Sequence, residues 1–498
     1  MATLGLKAGQ TIMMMGTPGD GGGAIVRPTE KIKFVEDMTE AEAAQQAGAT
    51  PAGLVNLGNT CYLNSTLQAL RCIPELQDAL GKHKHTSMSE IPQLDLTNQL
   101  KDLFKDMSET QGGMSPFTFL NALRMTFPQF GERSKKGPGY AQQDAEEAWS
   151  QIVSQLRQKL QIQGASEGEA DKAASFVDKY MSGEFSSTLQ CDDPAALEGG
   201  EQPTSAKEPF LKLNCHIDNQ TAHLRDGLVN GLSEKIEKRS DALGRDVMYT
   251  KTSKISRLPK YLTVHFVRFF WKRDVQKKAK IMRKVTFPHE LDAVEFCTDE
   301  LKKALVPVRD KVREVRKDEE DVDRARKRRK KNPMLDGGEL PEDTKEKGKK
   351  DDRKPTTSAD GDVDMTETYK TDAEFEAEKD AALLAAKKEL NSLIDPTLRN
   401  DDGANQSGIY ELRAVVTHQG ASADSGHYTA YVKKTGDKDP VTGKIGEEDG
   451  NWWWFNDDKV TEVTPDKIDA LAGGGESHSA LILLYKAIAL PTAAGVME

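Results

Sequence analysis

"LVNLGNTCYLNSTLQAL", residues 54–70, sets a cysteine directly before an apolar helical repeat. Leu63, Leu67 and Leu70 recur at helical spacing, and Pro74 closes that helix. Asn59 and Thr60 are residue types that cap helices, which puts Cys61 at the helix start. Unpaired N–H groups and the positive end of the helix dipole then point at the sulfur and favour the thiolate. Gly58 lets the backbone approach a substrate closely. Asn56 offers an amide donor to an oxyanion, as acyl transfer requires. Most free cysteines are inert core residues, and Cys72 on the same helix reads that way. Cys61 is the candidate nucleophile.

Outward from this helix, apolar stripes at 94–106 and from Ala145 to Leu160 predict two more helices. Strands dominate later: "RLPKYLTVHFVRFFWK" (257–272), "GIYELRAVVTHQG" (408–420), "GHYTAYVKK" (426–434), "NWWWFNDDKV" (451–460) and "ALILLYKAIAL" (480–490). Helices first and strands later predict an α+β body. Between about 305 and 405 the chain is dominated by Lys, Arg, Asp and Glu, with few aromatics. Such composition predicts a largely disordered insertion. One exception is "AEFEAEKDAALLAAKKELNSLI" (373–394), which has good helix formers. Within the insertion, "KRRKK" (327–331) reads either as a nuclear localisation signal or as a solvated charge run.

A cysteine nucleophile needs a base and an orienter for it. Among the nine histidines, His83 and His85 lie among polar residues and His265 inside a strand run, whereas His418 and His427 sit in the later strand blocks and are the two weighed as bases. Period-two alternation puts His427, Thr429 and Tyr431 on one strand face and Tyr428, Ala430 and Val432 on the other. His427 begins its strand after a glycine, a good place for a base opening onto a cleft. Asn456 or Asp457, at the end of an aromatic strand, can accept a hydrogen bond from the imidazole and fix its tautomer.

The formal net charge of −11 argues against nonspecific nucleic-acid binding. The five cysteines form no C-x-x-C pair, which excludes a zinc ribbon and fits a reducing compartment, cytosol or nucleus. No apolar run is long enough to span a membrane.

"GLVNLGNTCYLNSTLQAL" resembles the cysteine box of the ubiquitin-specific proteases, and "DSGHYTAYV" with "WWWFNDDKV" resembles their histidine box. "YAQQDAEEAW" (140–149) is similar to the family's QQDA motif and "LPKYLTVHFVRFFW" (258–271) to its central strand. "FVEDMTEAEAA", "FPQF", "TSKISRLPKYLTV", "AVVTHQGASADSGHY" and "GGGESHSALILLY" resemble the family's proteasome-associated branch. The resemblance implies a papain-like α+β fold with thumb, palm and fingers, over residues 51–490. It implies Cys61 as nucleophile, His427 as general base and Asn456 as the third triad member, accepting from Nδ1–H, with Asp457 sharing that role. Asn56 falls at the oxyanion-hole position, and Gln143, Asp144 and Glu147 near the ubiquitin tail. A helix-dipole role for Asp144 is compatible with that. "LKAGQTIMMMG" looks like the last strand of the branch's ubiquitin-like domain, so residues 1–18 read as its remnant and 19–50 as a linker.

The implied activity is cysteine-dependent hydrolysis after ubiquitin's C-terminal glycine, with no cofactor and no metal. The implied partners are ubiquitin, polyubiquitinated proteins and the proteasome, in cytoplasm and nucleus. Neither nucleic acid nor membrane is expected. The competing reading is a ubiquitin-binding regulator of the proteasome with little turnover, in which Thr417–Gly426 serves as a cleft-blocking loop.

Overall fold

The computed structural model describes residues 38–44, 48–84, 95–134, 137–162, 174–272, 277–331, 372–422, 425–436, 446, 448–475 and 477–496. The ubiquitin-like remnant at 1–18 and most of the 19–50 linker lie outside these residues; the acidic stretch before the body holds a short helix, Glu40–Ala44.

Five helices form one layer: α1 (Cys61–Arg71), α2 (Pro74–Lys82), α3 (Leu96–Ser108), α4 (Phe117–Thr126) and α5 (Ala145–Lys159). Pro74 does more than close α1, since it occupies the first turn of α2. α1 is buried from Cys61 through Leu70, so it is the hub of the layer rather than an amphipathic surface helix. Its leucines are fully enclosed, each worth roughly 1.5–3 kcal/mol of transfer free energy. Two of its buried polar side chains bond main-chain carbonyls: Thr66 donates to the Tyr62 carbonyl at 2.8 Å and Gln68 to the Ala52 carbonyl at 2.9 Å. α5 starts where Asp144 accepts from the Glu146 N–H at 2.9 Å.

The strands that position the site are, in chain order, β1 (Gly183–Cys191), β2 (Thr204–Phe210), β3 (Leu213–His216), β4 (Ser233–Arg239), β5 (Asp246–Arg257), β6 (Tyr261–Val267), β7 (Ile409–Ser422), β8 (Ser425–Lys433), β9 (Trp452–Asn456), β10 (Lys459–Val463) and β11 (Ser479–Ala487). They form a four-stranded sheet in the order β2-β1-β5-β4 and a larger sheet in the order β10-β9-β8-β7-β11-β6-β3. Only β3 and β6 run parallel along that path. Alternation sends Tyr428, Ala430 and Val432 of β8 into the core shared with the helices, whereas Tyr431 enters a second core on the opposite face. β11 is buried on both faces, which is why its sequence reads as a continuous apolar run.

The charged insertion departs from the expectation of disorder. α6 (Asp299–Lys331) is a single 33-residue helix, and α7 (Asp372–Ser392) covers the predicted helical exception. Val308, Val312 and Val315 of α6 share one stripe and bury against Leu390 and Ile394, forming a small core with Ile409. Composition averaged over the segment hid this stripe. Residues 332–371 lie outside the described set.

Candidate active site

Cys61 is the first residue of α1 and is 3 % exposed. The turn before it uses left-handed backbone at Gly58 (φ 95°) and Asn59 (φ 55°). Thr60 occupies the cap position, but its hydroxyl does not cap the helix. It accepts instead from the Leu57 N–H at 2.9 Å. The Asn56 side-chain oxygen ties the turn together, accepting from the N–H groups of Gly58 (2.9 Å) and Thr60 (3.3 Å).

The sheet meets this turn through β8 and the β9–β10 hairpin. The main chain of Tyr428, the residue after His427, hydrogen-bonds the Cys61 sulfur. The His427 Nε2 lies 2.6 Å from the Asn456 side-chain oxygen. This corrects the expected nitrogen: Asn456 engages Nε2, not Nδ1, and so selects the tautomer protonated at Nε2. Nδ1 is then the ring atom left with its lone pair for proton transfer.

Asp457 is the junction that sequence reasoning undervalued. Its backbone is left-handed (φ 54°) and its carbonyl accepts from the Leu54 N–H at 2.9 Å. Its carboxylate accepts from Asn56 at 3.0 Å and Asn64 at 2.8 Å. The Asn56 amide expected at the oxyanion hole thus spends one N–H on Asp457. Asp457 binds the cysteine turn rather than the imidazole ring. Gly53 and Gly113 make room for this hairpin, because a Cβ at Gly53 would sit 2.4 Å from the Asp458 carbonyl oxygen. Asn64 was missed, although a polar residue one turn after the nucleophile inside an apolar stripe was a visible signal.

Electrostatics also correct an expectation. The helix start does not leave the thiol acidic: burial pushes the Cys61 pKa up to about 11, and the negative Asp457 adds to that. The main-chain N–H groups of Tyr428, Tyr62 and Cys61 itself pull the other way but are outweighed. His418 is fully buried, edge-on to Tyr428 with ring centres 4.6 Å apart, and burial drives its pKa down to about 3. That environment keeps it neutral and makes it a packing residue. His478, with its ring centre 6.4 Å from that of His427, bonds the Thr417 hydroxyl at 3.1 Å.

Gln143, Asp144 and Glu147 sit at the N-terminal end of α5, beside α1. Gln143 donates to the Gln129 carbonyl at 2.9 Å, and Asp144 caps α5. Glu147 contributes its field to Tyr62, which stacks on Phe130 at 5.9 Å. The adjacent Gln142 keeps a buried side-chain N–H without a partner. A second loop braces the cysteine turn, since Asn59 donates to the Tyr140 carbonyl at 3.0 Å and the Tyr140 ring carries Arg124 at 3.5 Å. Cys191 and Cys215 are buried in separate apolar clusters.

The arrangement offers a thiol, an imidazole with a fixed tautomer and a set of amide donors around one turn, the parts needed for acyl transfer. The ubiquitin carboxyl-terminal hydrolase family model matches residues 52–485. The chain is 41% identical to ubiquitin carboxyl-terminal hydrolase 6 of Schizosaccharomyces pombe, covering 98% of this chain and 87% of the relative. It is 37% identical to ubiquitin carboxyl-terminal hydrolase 6 of Arabidopsis thaliana, with the same coverage of 98% and 87%. Against ubiquitin carboxyl-terminal hydrolase 14 of Caenorhabditis elegans the identity is 30%, over 97% of this chain and 81% of the relative.

Proposed function

We propose a mechanism and a role from one premise: the chain belongs to the ubiquitin carboxyl-terminal hydrolase family and is a cysteine-dependent ubiquitin hydrolase. The observation that carries the mechanism is the meeting of Cys61 with the main chain of Tyr428, next to a His427 ring already bonded to Asn456. His427 takes the Cys61 proton through Nδ1. The thiolate attacks the carbonyl of ubiquitin's C-terminal glycine, and the oxyanion is held by the free N–H of Asn56 and main-chain donors of the α1 start. His427 then protonates the departing lysine amine. Water attacks the thioester, with His427 as base, and releases the carboxylate. The five-helix layer acts as thumb, the larger sheet as palm and the four-stranded sheet as fingers. Gln143, Asp144 and Glu147 line the approach of the ubiquitin tail.

The biological substrate is the polyubiquitin chain of a protein held on the proteasome, trimmed in cytoplasm and nucleus. The blocks that resemble the proteasome-associated branch support this reading. A second reading, a regulator with little turnover, is favoured by one observation: the thiol is enclosed and its pKa raised to about 11, so substrate attack requires the cleft to open. Ubiquitin carrying a C-terminal electrophile tests both, with and without purified proteasome, read by mass spectrometry. Trapping on Cys61 that the proteasome accelerates supports a gated enzyme docked there. Trapping at the same rate in both tubes removes the proteasome from the mechanism, and no trapping in either supports the regulator.

A further inference from the structure

The insertion builds a two-helix arm whose far end no catalytic step uses. Among the described residues, Val315 is the last buried residue of α6. Farther out the helices are joined by ion pairs, Lys387 with Glu319 at 2.6 Å and Arg326 with Asp380 at 2.9 Å. In a chain of net charge −11, residues 324–331 read R-A-R-K-R-R-K-K, with seven cations in eight positions. Arg324, Arg326 and Lys327 are exposed. A cation or two in a last turn complements the helix dipole. Six in succession do not, because they set like charges at i,i+3 and i,i+4 and weaken the helix that carries them. Nor do they form a docking stripe, since consecutive residues point all around a helix. Only an extended backbone lets neighbouring residues of such a run be read one after another by a groove. A local rule broken at the end of an otherwise consistent helix marks a functional segment.

We propose that Arg326–Lys331 is a nuclear-import signal, taken up in extended form by the acidic groove of an import receptor. The weak hold on the end of α6 makes this possible: the segment leaves the helix without disturbing the apolar stripe at Val308–Val315. The inference rests on the reading that the protein works in both compartments.

The test is the full chain with K327A, R328A, R329A, K330A and K331A together, compared with wild type. Alanine keeps the helix former at each site, so the arm stays folded. Each form is fused to a fluorescent protein to slow passive diffusion, and the nuclear-to-cytoplasmic ratio is imaged. Hydrolysis of a ubiquitin–fluorophore substrate is measured in parallel. Expected is a fall in the ratio of at least about fivefold with hydrolysis unchanged, and loss of binding to a purified import receptor. Wild type that is nuclear and stays so after substitution overturns the inference alone. Wild type with no nuclear fraction overturns the two-compartment reading and the inference with it. Binding of a DNA duplex by the wild type, lost in the variant, with no receptor binding, overturns it in favour of a phosphate-backbone patch.

Discussion

The cysteine turn and the two-helix arm are held by opposite means. At the turn, segments about four hundred residues apart are locked through Asp457, Asn56 and Asn64, and glycine at 53 lets the backbones touch. On the arm, a short valine stripe gives way to exposed ion pairs. Buried polar networks lose much when one partner goes, because the rest is left unsatisfied. Exposed ion pairs are worth about 0–1 kcal/mol and are screened by salt. The contrast separates a region built for placement from one built to be let go.

Substitutions can break or sharpen that contrast. The largest effect expected is from Cys61→Ala, which should cost at least about 10⁴-fold in hydrolysis of a ubiquitin–fluorophore substrate while leaving the melting curve nearly unchanged. Asp457→Ala comes next. It orphans two amides, so kcat/KM should fall about 10²–10³-fold and urea stability by about 2–3 kcal/mol. If only stability moves, Asp457 is a brace with no hold on the chemistry. Gly53→Ala forces a methyl onto the Asp458 carbonyl and should cost about 1–3 kcal/mol, measured by the same urea titration. Asp380→Ala, which removes the exposed pair with Arg326 on the arm, should change stability by less than about 0.5 kcal/mol and hydrolysis not at all. A large loss there would mean that the arm supports the catalytic body.

Acidity gives a further test on the site side. The Cys61 thiol of the isolated protein should react with iodoacetamide along a pH profile centred near pH 11, not near 9. Its folded pKa is raised, so its contribution to stability is complete below the ordinary thiol pKa and is lost as pH climbs through the window from 9 to about 11. His418 and His478 act at the other end. Their folded pKa values are lowered to about 3 and about 4, so the stability they contribute is present above about 6.5 and fades as pH falls. A melting temperature flat from pH 7 to 4 would contradict that.

Local pattern carried much of this molecule. The spacing of Leu63, Leu67 and Leu70, the alternation of β8 and the apolar run of β11 read directly as the elements observed. Cys61 and His427 were named from residue type and neighbours; Asn456 stood level with Asp457 until the family resemblance chose it, and it is the one in hydrogen-bond contact with His427. What local pattern could not carry is contact between distant segments. Which ring nitrogen meets Asn456, the anchoring of Asp457 on Asn64 and the net rise in thiol pKa all depend on how the sheet closes on α1. The order of α6 was lost for a different reason, since three valines at helical spacing were diluted by the charged residues between them.

The bond between the Asp457 carboxylate and Asn56 spans 401 positions of the chain. β11 lies still later and fills the gap between β7 and β6. Folding must therefore close its longest loops before the nucleophile meets its base, the slow kind of topology. During synthesis, which runs from the N-terminus, α1 leaves the ribosome long before the strands that complete the site. Each new molecule is thus born as an inert helical half and becomes a protease only with its last strands.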